Sequence, residues 1–242
     1  EEAAENFQIQ ETPHHQQVME VEEEEPKLKL DFSGTDISDV GIDTLCSEDS
    51  WSEIDKDKIH LLEFDFSASS LTDQQFIQLT QNILAHMEKL TSVIINLAKT
   101  KTSFKSLEVL SQQGLKNLKL KTFVLNCSHT SIGTEDLESL NDGLDLSVPI
   151  LENLELIFDA TCLQGEEFLN VLSKFEQLKH LKLSFEGAQL SCKTVDSIVF
   201  CLACLANNLE SLDLNFNGTE IDEEGLESFS HYVVSQMKNL RC

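Results

Sequence analysis

The residues of this sequence that could support nucleophilic catalysis are a serine, a histidine and an aspartate near the middle of the chain. Ser128 and His129 are adjacent, and Asp159 lies further along the chain. In a Ser–His–Asp relay, the histidine accepts the serine proton and the carboxylate orients the imidazole ring. Adjacent residues of an extended strand point to opposite faces, so Ser128 and His129 are poorly placed to act on one substrate. The pattern therefore gives little support to a hydrolase.

A second candidate chemistry is zinc binding by cysteine. Cys201 and Cys204 form a CxxC pair, and Cys192 lies nearby. A structural zinc site needs four thiolate or imidazole ligands, usually supplied by two such pairs. The surrounding segment, Val199–Ala206, is apolar with a helical pattern, and no second CxxC or histidine pair lies at finger spacing. We interpret these cysteines as buried free thiols and predict no metal and no cofactor.

Local motifs of catalysis and nucleotide binding are missing from the sequence. It contains no GxxxxGK[ST] phosphate loop, no GxGxxG after a strand, no HExxH and no GxSxG. We therefore predict that the protein is not an enzyme, and its function must be sought in the surfaces that its elements build.

One spacing of apolar residues is repeated along the chain. The segment LDLNFNGTEIDEEGL, Leu212–Leu226, has apolar residues at offsets 0, 2, 4, 9 and 14 from its first residue. The other six copies begin at Leu28, Leu62, Val93, Phe123, Leu154 and Leu181. Of the 35 positions so defined, 34 are apolar if Cys127 is included, and Thr102 is the exception. A composition of 40% hydrophobic residues would supply about 14, so the repeat is real.

Each copy predicts a strand, a turn and a helix. Offsets 0, 2 and 4 alternate, so these side chains point to one face of a strand, and offset 14 begins a run with helical spacing. One unit cannot bury its strand face alone, but stacked units can, with parallel strands on one side and helices on the other. The predicted strands lie near residues 28–32, 62–66, 93–97, 123–127, 154–158, 181–185 and 212–216.

Two further positions of the repeat predict ladders of like side chains. Offset 4 is aromatic in five copies, at Phe32, Phe66, Phe158, Phe185 and Phe216, which we expect to stack in the core with Leu97 and Cys127 between them. Offset 7 carries a hydroxyl in six copies, at Thr35, Ser69, Thr100, Thr130, Thr161 and Thr219. Such small polar side chains can bond turn amides of their own and the neighbouring repeat.

These positions resemble the leucine-rich repeat pattern L-x-x-L-x-L-x-x-N-x-L, with Thr or Ser in place of Asn. Leu214 and Phe216 match the paired leucines, Thr219 matches the asparagine and Ile221 the closing leucine, whereas Ser211 departs from the first leucine. The resemblance covers residues 27–242, and repeats of about 30 residues with helices are similar to the ribonuclease-inhibitor-like class. It implies an α/β solenoid, a horseshoe of about seven strand–turn–helix repeats with a parallel sheet on the concave face.

Composition divides the chain into two parts. Residues 1–26 contain nine glutamates and no lysine or arginine, so we expect a disordered acidic arm, with a docking tail for a basic partner as the alternative. Residues 27–242 form the repeat domain, whose last repeat we expect to continue beyond Cys242. An irregular segment, Ser47–Lys58, lengthens the first repeat and holds Trp51, which either packs over the first helix or is an exposed anchor for a partner.

Charge and cysteine usage limit the partners and the compartment. A net charge of −26 argues against nucleic acid and against anionic membranes, whose phosphates attract basic surfaces. Seven scattered cysteines favour a reducing compartment. We therefore expect a cytoplasmic protein, with the cytoskeleton or a cilium as more specific locations, and a protein partner with a basic surface.

The outward offsets of the strands define a candidate binding site. Offsets 1 and 3 place Ile94, Val124 and Ile157 on the concave face, and the neighbouring polar positions are Asn96, Asn126 and Asp159. An apolar centre with a polar rim is typical of a protein-binding patch, although β-branched residues are also common on exposed strand positions.

Two classes of function fit this site. The first is a non-enzymatic interaction scaffold, a subunit of a larger intracellular assembly such as a cytoskeletal or axonemal complex. The alternative is a regulator of an enzyme, because the resembled class includes nuclease inhibitors and activators of small GTPases.

Overall fold

Seven five-residue strands form a single parallel sheet in which sequence order and spatial order coincide. The computed structural model describes residues 26–133, 139–140, 142–163, 172–221 and 223–240. The strands of this sheet are β1 Lys27–Asp31, β2 Leu61–Asp65, β3 Ser92–Asn96, β4 Thr122–Asn126, β5 Asn153–Ile157, β7 His180–Ser184 and β9 Ser211–Asn215. Two short strands, β6 Cys162–Leu163 and β8 Gln189–Leu190, pair separately in parallel. The predicted strands are thus confirmed, each beginning one residue earlier than the apolar pattern indicated.

Helices connect the strands and cover one face of the sheet. In the described ranges they include α1 Asp39–Leu45, α2 Glu48–Trp51, α3 Asp73–Asn82, α4 Phe104–Val109, α5 Cys192–Leu205 and α6 Glu223–Tyr232. A π-helical segment, Leu110–Leu115, continues α4, and 3₁₀ turns occupy Lys56–Lys58, Leu84–His86, Asp145–Ser147 and Val234–Gln236. With strands on one face and helices on the other, the chain is an α/β solenoid with the strand–turn–helix architecture that the leucine-rich repeat resemblance implies. The face of the sheet opposite the helices, predicted to be concave, is called the open face below.

The core lies between the sheet and the helices. In β2, β3, β4 and β5, buried residues at offsets 0 and 2 alternate with half-buried ones, as a sheet with one covered face requires. In the outermost strands β1 and β9, the equivalent leucines are only half-buried. These strands have a neighbour on one side, so the solenoid ends with part of its core facing solvent.

The phenylalanine ladder at offset 4 is confirmed. The ring centroids are 5.6 Å apart for Phe32–Phe66, 6.4 Å for Phe158–Phe185 and 5.5 Å for Phe185–Phe216, and all three pairs are stacked. Leu97 and Cys127 fill the intervening positions and are fully buried. The aromatic rings at offset 4 thus pack repeat against repeat along the solenoid.

The backbone just after each strand continues the bonding between repeats. The amide at offset 4 donates to the offset 3 carbonyl of the next repeat, as in Phe66 to Asn96 at 2.9 Å and Phe158 to Ser184 at 2.8 Å. The amide at offset 6 donates to the offset 5 carbonyl of the next repeat, as in Ala160 to Glu186 at 2.7 Å. These bonds extend the parallel ladder beyond the strands and into the turns.

The turn requires a left-handed residue at offset 6 in all seven repeats. The φ values are 66° at Gly34, 55° at Ala68, 59° at Lys99, 57° at His129, 53° at Ala160, 63° at Gly187 and 69° at Gly218. A residue with a Cβ atom pays roughly 1–2 kcal/mol for this conformation. Four repeats have a residue with a Cβ atom at this position. The backbone hydrogen bonds of the amides at offsets 4 and 6 therefore stabilise the turn enough to offset this strain.

The hydroxyl ladder at offset 7 closes the same turn. The Oγ1 atoms of Thr35, Thr100, Thr130, Thr161 and Thr219 each donate to the offset 4 carbonyl of their own repeat at 2.6–2.7 Å. The prediction of contacts to turn backbone is confirmed. Amides of the same repeat also bond this ladder, because Ser69 Oγ accepts from the Leu71 amide at 3.3 Å and Thr130 Oγ1 from the Ile132 amide at 3.4 Å. The bonds to the neighbouring repeat are supplied by the backbone amides described above.

A carboxylate joins two repeats on the helical side. Asp73, in the first turn of α3, accepts hydrogen bonds from the Ser103 amide and hydroxyl and from the Ser106 hydroxyl, at 2.6–2.7 Å. Burial raises the pKa of Asp73, but these hydrogen bonds outweigh burial and the net pKa is lowered. The ionised carboxylate therefore ties the start of α3 to the start of α4.

We expect Phe158→Ala to lower the free energy of unfolding by about 3–5 kcal/mol, because it removes a fully buried ring and leaves a cavity. Urea denaturation followed by circular dichroism measures this loss. Phe32→Ala is the matched control: the half-buried ring of Phe32 at the first repeat should cost clearly less. Equal losses for the two variants would contradict a ladder that is buried in the middle and open at its end.

A separate prediction concerns the turn. Gly187→Val should destabilise the protein by about 1–3 kcal/mol through backbone strain alone, since a Cβ atom at Gly187 meets no atom within 4 Å. Thermal unfolding of the variant measures the effect. Gly187→Asn is the control, because asparagine adopts positive φ more readily, and it should lie between the wild type and the valine variant. A valine variant as stable as the wild type would show that this turn relaxes freely.

Candidate functional site

The open face presents a row of directly adjacent side chains at offset 1. The strand register places Lys29, Glu63, Ile94, Val124, Glu155, Lys182 and Asp213 in consecutive order across the sheet. Neighbouring strands of a sheet lie about 4.8 Å apart, so each of these residues lies directly beside the next. The row therefore runs from charged residues to an apolar pair and back to charged residues.

An ion pair lies on each side of the apolar residues. Lys29 Nζ is 2.6 Å from Glu63 Oε1, and Lys182 Nζ is 3.5 Å from Glu155 Oε2. The hydrogen bond to Glu63, together with its negative charge, raises the pKa of Lys29. The charges flanking Ile94 and Val124 are thus largely neutralised in pairs. Sequence reasoning did not identify these pairs, although opposite charges at one offset of adjacent repeats are a readable signal.

The predicted apolar centre is only partly a single cluster. Ile94 and Val124 are direct neighbours on β3 and β4, and both are half-buried. Ile157 is also half-buried, but it is opposite Asn126 and not opposite Val124. Ile94 and Val124 occupy offset 1, whereas Ile157 occupies offset 3 and so lies two residues further along its strand. The centre is therefore the Ile94–Val124 pair, with Ile157 one strand across and two residues along.

The two predicted rim asparagines shape the turns that follow their strands. Asn96 Oδ1 accepts a hydrogen bond from the Ala98 amide at 3.2 Å. Asn126 Oδ1 accepts from the Ser128 amide at 3.0 Å and from the Ser128 hydroxyl at 2.7 Å. Asp31, Asp65 and Asn215 accept equivalent amide bonds in their own repeats. The side-chain oxygens of Asn96 and Asn126 thus have a structural role, whatever contacts their amino groups make.

Asp159 is engaged in the same way with the next repeat. Its Oδ1 atom accepts from the Ser184 hydroxyl at 2.6 Å and from the Glu186 amide at 2.8 Å. The sixth repeat has Ser184 at offset 3, where five other repeats have Asp or Asn that bonds the offset 5 amide. Asp159 supplies the missing acceptor from the preceding repeat. Its predicted place at the edge of the patch is therefore also a structural position.

The Ser128, His129 and Asp159 side chains are not joined in a relay. Ser128 is buried and its hydroxyl donates to Asn126, while His129 is exposed at a left-handed turn position. The His129 amide donates to the Asp159 carbonyl at 2.8 Å, but the Asp159 carboxylate is bonded to Ser184 and Glu186. The structure brings His129 and Asp159 together through backbone groups, and this arrangement supplies no proton relay.

Trp51 packs into the first repeat. It is 6% exposed, and its indole N–H donates to the Leu45 carbonyl. The interpretation that Trp51 packs over the first helix is confirmed, and the alternative of an exposed anchor is wrong.

The CxxC cysteines differ in their surroundings. Cys201 is buried, and burial raises the pKa of its thiol to about 12, with a smaller contribution from Cys204. Cys204 is exposed on the same helix. A thiol with so high a pKa is protonated at neutral pH in the absence of a metal ion. Within the described ranges no three His, Cys, Asp or Glu side chains are grouped to hold a metal ion.

Comparison with known proteins identifies no family. No protein-family model and no curated protein matches the chain. Among solved structures, internalin C2 from Listeria monocytogenes is similar over 88% of this chain and 77% of that protein, with 18% identity and a TM-score of 0.44. The assignment of the solenoid fold rests on the sheet and the repeats described above. The ribonuclease-inhibitor-like subclass stays a prediction.

No helix in the described part of the chain is both long and apolar enough to cross a bilayer.

Asn126→Ala should lower the free energy of unfolding by about 1–3 kcal/mol, because the Ser128 amide and hydroxyl lose their acceptor. Chemical denaturation measures the loss. Asn126→Asp keeps the acceptor, as Asp31 and Asp65 do in the first two repeats, and should stay close to the wild type. If alanine and aspartate behave alike, the amide oxygen of Asn126 has no structural role.

Proposed function

We propose that this protein is a non-enzymatic interaction scaffold that docks another protein on the open face, around Ile94 and Val124. The observation that supports this proposal is the order of side chains at offset 1. Two β-branched residues lie side by side between the ion pairs Lys29–Glu63 and Lys182–Glu155. An apolar centre bordered by polar groups is the usual composition of a protein interface.

Desolvation of apolar side chains favours binding at this site. Covering Ile94 and Val124 removes apolar surface from water at about 25 cal/mol per Å². The bordering charges do not oppose this strongly, because each is paired and remains partly exposed, with 29–51% of the side-chain surface accessible. Such ion pairs can stay at the rim of an interface, where charged groups keep contact with water. Ile157 extends the apolar surface towards β5.

The charge of the proposed partner follows from the first two strands. Asp31 and Asp65 are opposite each other on β1 and β2, two residues beyond the Lys29–Glu63 pair. Hydrogen bonds from the Ser33 side chain and amide lower the pKa of Asp31, so its carboxylate is ionised at neutral pH. Adjacent carboxylates favour a cationic group on the partner. We therefore propose a partner with an apolar anchor and a basic flank, and neither nucleic acid nor a membrane surface.

The more specific roles are also proposals. The thiols of Cys46, Cys162 and Cys204 are free, which supports a reducing compartment such as the cytoplasm. A cytoskeletal or ciliary assembly is the setting that we propose for the scaffold. A regulator of an enzyme would use the same open face. Affinity capture followed by mass spectrometry distinguishes the two, because the bound protein is either a structural subunit or an enzyme.

We expect the double substitution Ile94→Thr and Val124→Lys to weaken binding of the captured partner more than tenfold, about 1.4 kcal/mol. Stability should be nearly unchanged, because both side chains lie on the open face and Lys at 124 would have Glu155 as its neighbour. Calorimetric titration with the purified partner measures affinity, and circular dichroism verifies the fold.

The matched control carries the same added charge on the last repeat, as Asn217→Lys, where the side chain is exposed. It should bind like the wild type. A folded double variant with unchanged affinity would contradict docking at Ile94 and Val124 and would direct attention to the helical side.

A further inference from the structure

Three lysines line the edge of the sheet at which the strands begin. Lys89 precedes β3 by three residues, and Lys119 and Lys121 precede β4 by three and one. All three are exposed. The His60 ring contacts the Lys89 carbonyl at 3.0 Å, and the Lys121 amide donates to the Thr91 carbonyl at 2.8 Å, so these segments stack on one another. We call Lys89, Lys119 and Lys121 the basic edge.

The basic edge is unpaired in a protein with a large excess of acid. The chain has 43 acidic residues and 17 basic ones, yet none of the three lysines forms an ion pair with any residue that the structure describes. Other lysines of this edge are paired: Lys58 with Asp55 at 3.0 Å and Lys179 with Glu152 at 3.2 Å. Glu152 follows Lys121 across the sheet but is bound to Lys179. The positive charge of the basic edge is therefore available to a further anion.

The acidic arm leaves the domain at the same edge. Because the strands are parallel, β1 begins where β3 and β4 begin, and residue 26 immediately precedes it. The Pro26 carbonyl accepts a hydrogen bond from the His60 amide at 3.1 Å, which fixes the exit point beside the second repeat. The segment EVEEEE, Glu20–Glu25, lies directly before Pro26 and carries five carboxylates.

The reach of this segment matches the distance to the lysines. Strands are spaced about 4.8 Å apart, so β3 and β4 lie roughly 10 Å and 14 Å from β1. An extended chain covers about 3.3 Å per residue, so six residues reach about 20 Å. Glu20–Glu25 can therefore cross the start of β2 and lie along β3 and β4 without any rearrangement of the domain.

Other surfaces near the ends of the solenoid repel this segment. The open face of the first two repeats carries Asp31 and Asp65, and the last repeat carries Asp213, Glu220 and Glu223. Like charges on these surfaces disfavour an acidic arm, whereas the basic edge attracts it.

We propose that the basic edge is the docking site of the chain's own acidic arm, with Glu20–Glu25 lying across Lys89, Lys119 and Lys121. In that position the arm neutralises the edge and competes with any acidic segment of another protein for the same lysines. The proposal is independent of docking at Ile94 and Val124, which lie on the open face.

Zero-length coupling of carboxylates to amines tests this proposal on the full chain. A carbodiimide is added at about 0.01 M salt, where the screening length is about 30 Å, and at about 1 M, where it is about 3 Å. Peptide mass spectrometry then identifies the lysines joined to Glu20–Glu25. We expect links to the basic edge at low salt and their loss at high salt. Links spread evenly over the basic edge and Lys99, Lys101 and Lys105, or no links, would overturn the proposal.

Isotope mixing separates the chain's own arm from that of a second copy. Equal amounts of ¹⁵N-labelled and unlabelled protein are mixed before coupling, and each linked peptide pair is assigned to one copy or to two. Pairs from a single copy are expected. A predominance of mixed pairs would show docking between copies and would overturn the proposal as stated.

Two triple variants provide the matched comparison. Lys89→Gln, Lys119→Gln and Lys121→Gln together should release the arm, seen as faster proteolytic cleavage after the glutamates of Glu20–Glu25. Lys99→Gln, Lys101→Gln and Lys105→Gln remove the same charge from exposed positions that follow β3 and should leave cleavage unchanged. Equal acceleration in both variants would overturn the proposal, because it would reflect net charge and not the basic edge.

Discussion

The structure depends on the hydrogen bonds that each repeat donates to the next one just beyond its strand. The amides at offsets 4 and 6 both point to carbonyls of the neighbouring repeat, and this direction holds only if the residue at offset 6 is left-handed. The same turn directs the offset 4 side chain into the core, where the phenylalanine rings stack. An unpaired buried amide costs about as much as the strain of one left-handed residue. This balance explains why Ala68, Lys99, His129 and Ala160 hold a conformation that glycine adopts more easily.

The regular register has a consequence for recognition. Because every strand is paired without a shift, positions of equal offset form straight rows on the open face. Each row therefore contains one residue from every repeat, and a single substitution changes one residue of the row. Ion pairs in the row arise from residues some 30 positions apart in the chain, such as Lys29 and Glu63. The rigid backbone and the variable row together allow binding specificity to change without changing the fold.

Much of this architecture was predictable from apolar spacing, because the side chains at offsets 0, 2 and 4 are buried and these positions are therefore occupied by apolar residues. The one-residue difference in strand bounds arises because the first residue of each strand pairs through its backbone, which has no side-chain signal. The left-handed position was hidden for a related reason: glycine, alanine, lysine and histidine all occupy it. The site was predicted less well. The place of Ile157 beside Asn126 and the bonds of Asp159 to the next repeat depend on register, which spacing alone does not give.

The single tryptophan of the chain is the last residue of α2 and is enclosed in the first repeat, at one end of the stack, where its indole N–H donates to the Leu45 carbonyl at the end of α1. In a linear array each repeat is stabilised only by its neighbours, so the end repeats can open before the middle ones. Intrinsic fluorescence of this protein therefore reports on its amino-terminal repeat, whereas circular dichroism averages over all seven. The difference between the midpoint temperatures of the fluorescence and circular dichroism melting curves therefore measures how cooperatively the first repeat unfolds with the rest of the stack.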